Sequence, residues 1–216
     1  MAVAFLVTAL VGFGPTYYLK GLTEAPPLSP LLHVHAAVFS AWLALLLGQT
    51  SLVAAHRVDL HRRLGMVGAA LAATMIPLGI MTAIDAARRG SGPPGVEPAF
   101  FLIFPLGTIV MFGAFVGAAL WKRRNPECHR RFMLLATITL MTPALARWPF
   151  VAQRPLPALA LTTLFVVAAA IHDWRTRGRV HPIYVRGGLI ILVSGPLRFF
   201  GGHSDIWQSF ARLLIG

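Results

Sequence analysis

The chain has 216 residues, 56% of them hydrophobic and only 12% charged, with a mean hydropathy of +0.71. Soluble domains carry roughly 25% charged residues, so this composition, with apolar runs near the length of a bilayer crossing, excludes a soluble globular protein. The net charge of +12 sits in short links between those runs, which is a topology signal and not a nucleic-acid one, and the single cysteine, Cys128, excludes an internal disulfide or a multi-cysteine metal site.

The sequence predicts an all-α integral membrane helical bundle of seven transmembrane helices in one domain, 1–216, with spans near 2–19, 29–54, 64–87, 99–121, 132–150, 156–174 and 182–200. The first segment lacks a charged leader and a small-residue cleavage site, so it reads as a retained helix and not a signal peptide. A short amphipathic tail over 204–214 is expected on the membrane surface.

Basic residues mark alternate links. Arg57, Arg62 and Arg63 follow the second span. Lys122, Arg123, Arg124, Arg130 and Arg131 follow the fourth, and Arg175, Arg177 and Arg179 the sixth. The intervening links are poorer, with Lys20, then Arg88 and Arg89, then Arg154. Basic loops stay on the cytoplasmic side, so the N-terminus is expected there too, in a bacterial inner membrane.

The second span starts on Ser29 and Pro30, a capping serine followed by proline in the first turn. His33 and His35 then point to nearly opposite faces, because two residues turn a helix by about 200°. His35, Phe39 and Trp42 form an aromatic stripe, whereas His33, Ala37, Ser40, Ala44 and Gly48 form a stripe of small residues suited to close helix contact.

Prolines 15, 77, 105, 143 and 196 lie inside five spans, all in the non-cytoplasmic half on the alternating topology. Kinks at one level are expected to splay the bundle and open a cavity, since freed carbonyls need protein or water. Tyr17, His33, His35, Arg147 and Arg198 fall at that level and are the expected outer site, with Asp85 as the partner of Arg147. Arg147 could alternatively hold an anionic ligand group.

A second group, His56, His61, His129, His172 and His181, lies at the cytoplasmic helix ends. Neutral imidazole ligates haem iron and transition metals. His61 with His129 is the most symmetric pair and His129 with His172 the alternative, with Arg62, Arg63, Arg130 and Arg131 placed for haem propionates. The echo of His61-Arg62-Arg63 in His129-Arg130-Arg131 fits either a duplication or basic anchoring of helix ends. No HExxH or GxSxG motif is present, and Gly12-Phe13-Gly14 is not a dinucleotide fingerprint.

The segments GPTYYL, LHVHAAVFSAWLALLLGQTSLVAAHRVDLHRRLG, PECHRRFMLLATITL and GRVHP together resemble a widespread group of uncharacterised bacterial multi-pass membrane proteins. The resemblance covers nearly the whole chain and implies the all-helical membrane fold, but no activity. The His-Arg-rich helix starts are also loosely similar to those of b-type membrane cytochromes. The leading expectation is a membrane protein that binds a ligand or cofactor, haem b or a transition metal, through His and Arg, with redox chemistry possible. The alternatives are an accessory subunit or assembly factor docking on other membrane subunits or on itself, and a small-molecule transporter.

Overall fold

A computed structural model describes residues 1–22, 27–151 and 155–216, with side chains from 157 onward in the last segment. Every regular element among the described residues is helical. Helix α1 (Ala2–Phe13) runs into a π turn (Gly14–Tyr18) and a 3-10 turn (Lys20–Leu22). Then follow α2 (Pro30–Ala54), α3 (Val58–Arg88), α4 (Pro98–Trp121), α5 (Pro126–Thr139), α6 (Met141–Ala146), α7 (Pro155–Arg177), α8 (Pro182–Gly202) and α9 (Asp205–Ile215).

Local chemistry explains most starts. Ser29 accepts the Leu32 N–H, Asn125 accepts from Glu127 and Cys128, and Ser204 accepts from Trp207. These side chains satisfy N–H groups that a first turn leaves without partners. Helices α2, α4, α5 and α8 also carry proline at the first helical positions, where its missing N–H costs nothing.

Five helices are long and apolar enough to cross a membrane: Pro30–Ala54, Val58–Arg88, Pro98–Trp121, Pro157–Arg177 and Pro182–Gly202. The first and fifth expected spans differ from the prediction, and proline is the reason in both. At Pro15 the chain widens into the π turn, closed by Leu19 N–H to the Gly14 carbonyl at 2.8 Å. The fifth span breaks at Leu140 into pieces of 14 and 6 residues. Pro143 cannot donate to the carbonyl of Thr139, four residues back, so α5 stops there and Pro143 falls in the first turn of α6.

The main core joins α1 to α8 around Phe5, Trp42, Met75, Phe112, Leu135 and Ile138. Trp42 stands edge-on to Phe112 at 5.1 Å and donates its indole N–H to Thr137 Oγ1 at 3.2 Å, tying α2 to α4 and α5. Helix α1 presses on α6 at Gly12, where a side chain would collide with the Ala144 carbonyl. A satellite cluster of Ala83, Ala87, Ala99, Leu102 and Ala211 seats α9 on α3 and α4. Trp207 donates to the Ala99 carbonyl at 2.8 Å, and Arg88 donates to the carbonyls of Leu214 and Ile215. The tail is therefore a docked helix with a lipid-type face, Ile206, Phe210 and Leu213, turned outward.

Candidate functional site

The aromatic stripe of α2 forms as expected. His35 stacks on Phe39 with ring centroids 4.1 Å apart, and its Nδ1 is buried without a hydrogen-bond partner. The small stripe does not pack. His33, Ala37 and Ala44 are exposed and a Cβ on Gly48 would meet open space. Close approach occurs instead at Gly12, Gly187 and Gly195, against Ala144, Leu135 and Leu159.

The outer group is brought together only in part. Tyr17 and His33 meet through the phenol oxygen and Nδ1 at 3.3 Å, and Tyr18 reaches Ser40 at 2.7 Å. Arg147 lies over the Phe13 ring at 4.8 Å, donates to the Pro143 carbonyl at 2.8 Å, and is close enough to His35 to act on it electrostatically. Asp85 is not its partner. That carboxylate takes both Nε and Nη2 of Arg89, one turn along the same helix, where the i,i+4 spacing makes the pairing local.

Arg198 belongs elsewhere. It donates to Ser194 O, Ser194 Oγ, Phe104 O and Thr108 Oγ1, all at 2.8–3.0 Å, and so ties α8 to α4 through neutral acceptors. Gly107 makes this approach possible, since a side chain there would collide with Arg198 Cδ.

At the other end of the bundle His61 and His129 do meet, from α3 and α5. Their ring centroids are 6.4 Å apart and their planes stand at 82°. His129 Nδ1 faces the Ala119 carbonyl at 2.9 Å. A carbonyl only accepts, so Nδ1 carries the proton and Nε2 keeps its lone pair. His61 Nδ1 is buried with no partner. The side-chain Oε1 of Gln49, on α2, is another buried polar atom without a partner. His172 is exposed and His56 occupies the α2–α3 turn at φ 58°, so neither joins the pair. Among the described residues no three His, Cys, Asp or Glu side chains gather as a metal cluster.

The sequence reading missed one centre. Arg131, expected at a headgroup or propionate, is fully buried and forms a two-pronged pair with Asp173 of α7, Nε to Oδ2 at 2.8 Å and Nη2 to Oδ1 at 2.6 Å. Its Nη1 donates to the Glu127 carbonyl at 2.7 Å, and the Tyr184 ring of α8 lies 5.6 Å from its guanidinium carbon. Asp173 also accepts the His181 N–H at 3.3 Å, and Glu127 pairs with Arg177. The available signal was Asp173 itself, an acid inside the last turns of an apolar helix. Beside this network, burial and the charge of Arg131, with Arg177 and Arg179 adding, hold the His181 imidazole below its ordinary value, while Asp173 opposes them.

Neither of two shallow surface pockets is lined by the outer group. One is an apolar groove between α2 and α3, at Leu52, Leu60, Arg63, Leu64 and Val67. The other lies where α4, α8 and α9 meet, at Glu97, Phe100, His203 and Gln208.

No family model, curated protein or solved structure matches the chain.

Proposed function

We propose that this is a polytopic protein of a bacterial inner membrane that binds a transition metal, bare or as haem b iron, between His61 and His129. The observation that carries the reading is the meeting of two imidazoles from α3 and α5, His129 with its Nε2 lone pair free and His61 with a buried Nδ1 that has no partner. Buried polar atoms without partners are costly, and a cation held by the two imidazoles would remove that cost at His61 Nδ1. His61 and His129 would hold such an ion, each supplying a neutral imidazole nitrogen. Arg62 and Arg63 flank His61 and would suit haem propionates, whereas Arg131 is committed to Asp173.

In this reading the chain crosses seven times, the first crossing made by α1 with its π turn and the fifth by the broken pair α5–α6. The basic links and the N-terminus face the cytoplasm, and so does the His61–His129 site. The test is an absorption spectrum of the detergent-purified protein, oxidised and then reduced, with metal analysis of the same sample. Expression is carried out with ample haem and metal. A Soret band or stoichiometric metal that is lost in both His61→Ala and His129→Ala is expected. Neither signal in the wild type overturns the reading and leaves an accessory subunit or a transporter in front.

A further inference from the structure

The pocket at the junction of α4, α8 and α9 is independent of the histidine pair, and we infer that it binds a primary ammonium group at the membrane interface. Three of its side chains, Glu97, His203 and Gln208, present acceptor atoms. His203 Nδ1 faces the Phe199 carbonyl at 2.8 Å, so it donates there and leaves Nε2 as a lone pair. Gln208 donates its amide nitrogen to the Gly202 carbonyl at 2.7 Å, which fixes the amide and leaves Oε1 buried without a partner. Glu97 adds a carboxylate. The Phe100 ring completes the lining and rests 4.4 Å from the His203 ring.

An ammonium carries three N–H donors and no acceptor, matching the three acceptors one for one, and an aromatic face adds attraction for a cation. The pocket is a shallow, open depression of about 280 Å³, below the roughly 300–1,000 Å³ of sites for drug-sized ligands, which suits a headgroup and not a large cofactor. Arg212 stands 3.6 Å from the Glu97 carboxylate at the rim, where it would meet the phosphate of an ethanolamine lipid. The outward face of α9, Ile206, Phe210 and Leu213, lies beside it as a surface for acyl chains.

The test uses the full chain, delipidated in detergent and offered equal amounts of phosphatidylethanolamine, phosphatidylcholine and phosphatidylglycerol, with retention read by native mass spectrometry. Phosphatidylethanolamine should be retained about tenfold over phosphatidylcholine, whose trimethylated nitrogen cannot donate. Glu97→Gln should reduce that preference to a similar degree. Glu97 makes no side-chain cap bond to α4, so the variant should keep its circular dichroism. Ethylammonium chloride separates the sources. Retention of ethanolamine lipid against millimolar ethylammonium identifies the lipid, and displacement with binding of ethylammonium itself identifies a free amine. Equal retention of the ethanolamine and choline lipids, or an unchanged preference in Glu97→Gln, would overturn the inference.

Discussion

Removing the carboxylate of Asp173 should be the most damaging single change in the bundle. Arg131 is fully buried and Asp173 nearly so, and two short hydrogen bonds join them across α5 and α7. Breaking a buried pair from one side strands the other charge and costs about 3–5 kcal/mol, a large part of the roughly 5–15 kcal/mol that holds a typical fold. The two halves of the pair should not be equivalent. Asp173→Ala leaves the fully buried Arg131 with the Glu127 carbonyl, the Glu127 carboxylate at 3.9 Å and the Tyr184 ring, and with Arg130 still nearby. Arg131→Met leaves Asp173 with the His181 N–H and with Arg130 at 4.0 Å, so it should cost less. The double variant Arg131→Met/Asp173→Leu removes both charges and should recover to within about 1 kcal/mol of wild type, because apolar replacement of a buried pair is often neutral. Unfolding in mixed micelles with increasing dodecyl sulfate, followed by far-UV circular dichroism, measures all four corners of the cycle, with Asp173→Leu as the second single variant beside Arg131→Met. A loss under about 1 kcal/mol for Asp173→Ala, or simple additivity in the double variant, would refute the argument.

Other consequences can be checked on the same preparation. Gly12→Ala should cost about 1–3 kcal/mol, since its Cβ collides with the Ala144 backbone, whereas Gly48→Ala, with open space in mid-helix, should gain about 0.5–1 kcal/mol; equal effects of the two would remove the close contact of α1 and α6 from the account. His35→Phe should keep the stack on Phe39, discard a buried nitrogen without a partner and hold or raise folded yield, while lowering any ligand bound at the outer group; unchanged yield and unchanged ligand would dismiss His35 as a contact. His181 gives a pH dependence: its imidazole is held below the ordinary value of 6.5, so the native state binds fewer protons than the unfolded one in the window between the two. Stability should be constant above about pH 6.5, fall as pH drops through that window and level off below the depressed value. Protonation also ends acceptance of the Ile183 N–H by Nδ1, and His181→Asn, which keeps a capping acceptor, should flatten the slope seen in midpoint against pH.

Much of the frame was legible because helix starts are local. Ser29-Pro30, Asn125-Pro126 and Ser204 announce their helices through side chains that reach only two or three residues. The apolar runs placed five long helices for the same reason, and the aromatic stripe of α2 followed from rotation per residue. The break at Leu140 was not legible, because five prolines sit inside predicted spans and only packing decides which are absorbed, as Pro77, Pro105 and Pro196 are, and which end a helix. Of the site, the meeting of His61 and His129 was foreseen from their matching places at helix ends. The partners of charged residues were not. Asp85 chose Arg89 one turn away, Arg198 chose neutral oxygens on α4, and Arg131 chose an acid 42 positions along the chain. Sequence spacing carries no information on contacts between helices, and a buried arginine looks the same in sequence as one at a headgroup. Arg154, counted among the sparse basic links, lies outside the described residues.

Helix α4 connects the two proposed binding places. Glu97 immediately precedes its first turn, beside the ammonium pocket, and Ala119, near its end, holds His129 in its tautomer. Its 24 residues span about 36 Å, slightly more than the roughly 30 Å of a hydrocarbon core. A helix that crosses a bilayer presents its ends to different solutions, so the two places would be reachable only from opposite compartments. In sealed vesicles holding the protein in one orientation, a membrane-impermeant chelator and an impermeant amine could never both act from outside. That sidedness offers a way to read the orientation of the chain without a tag.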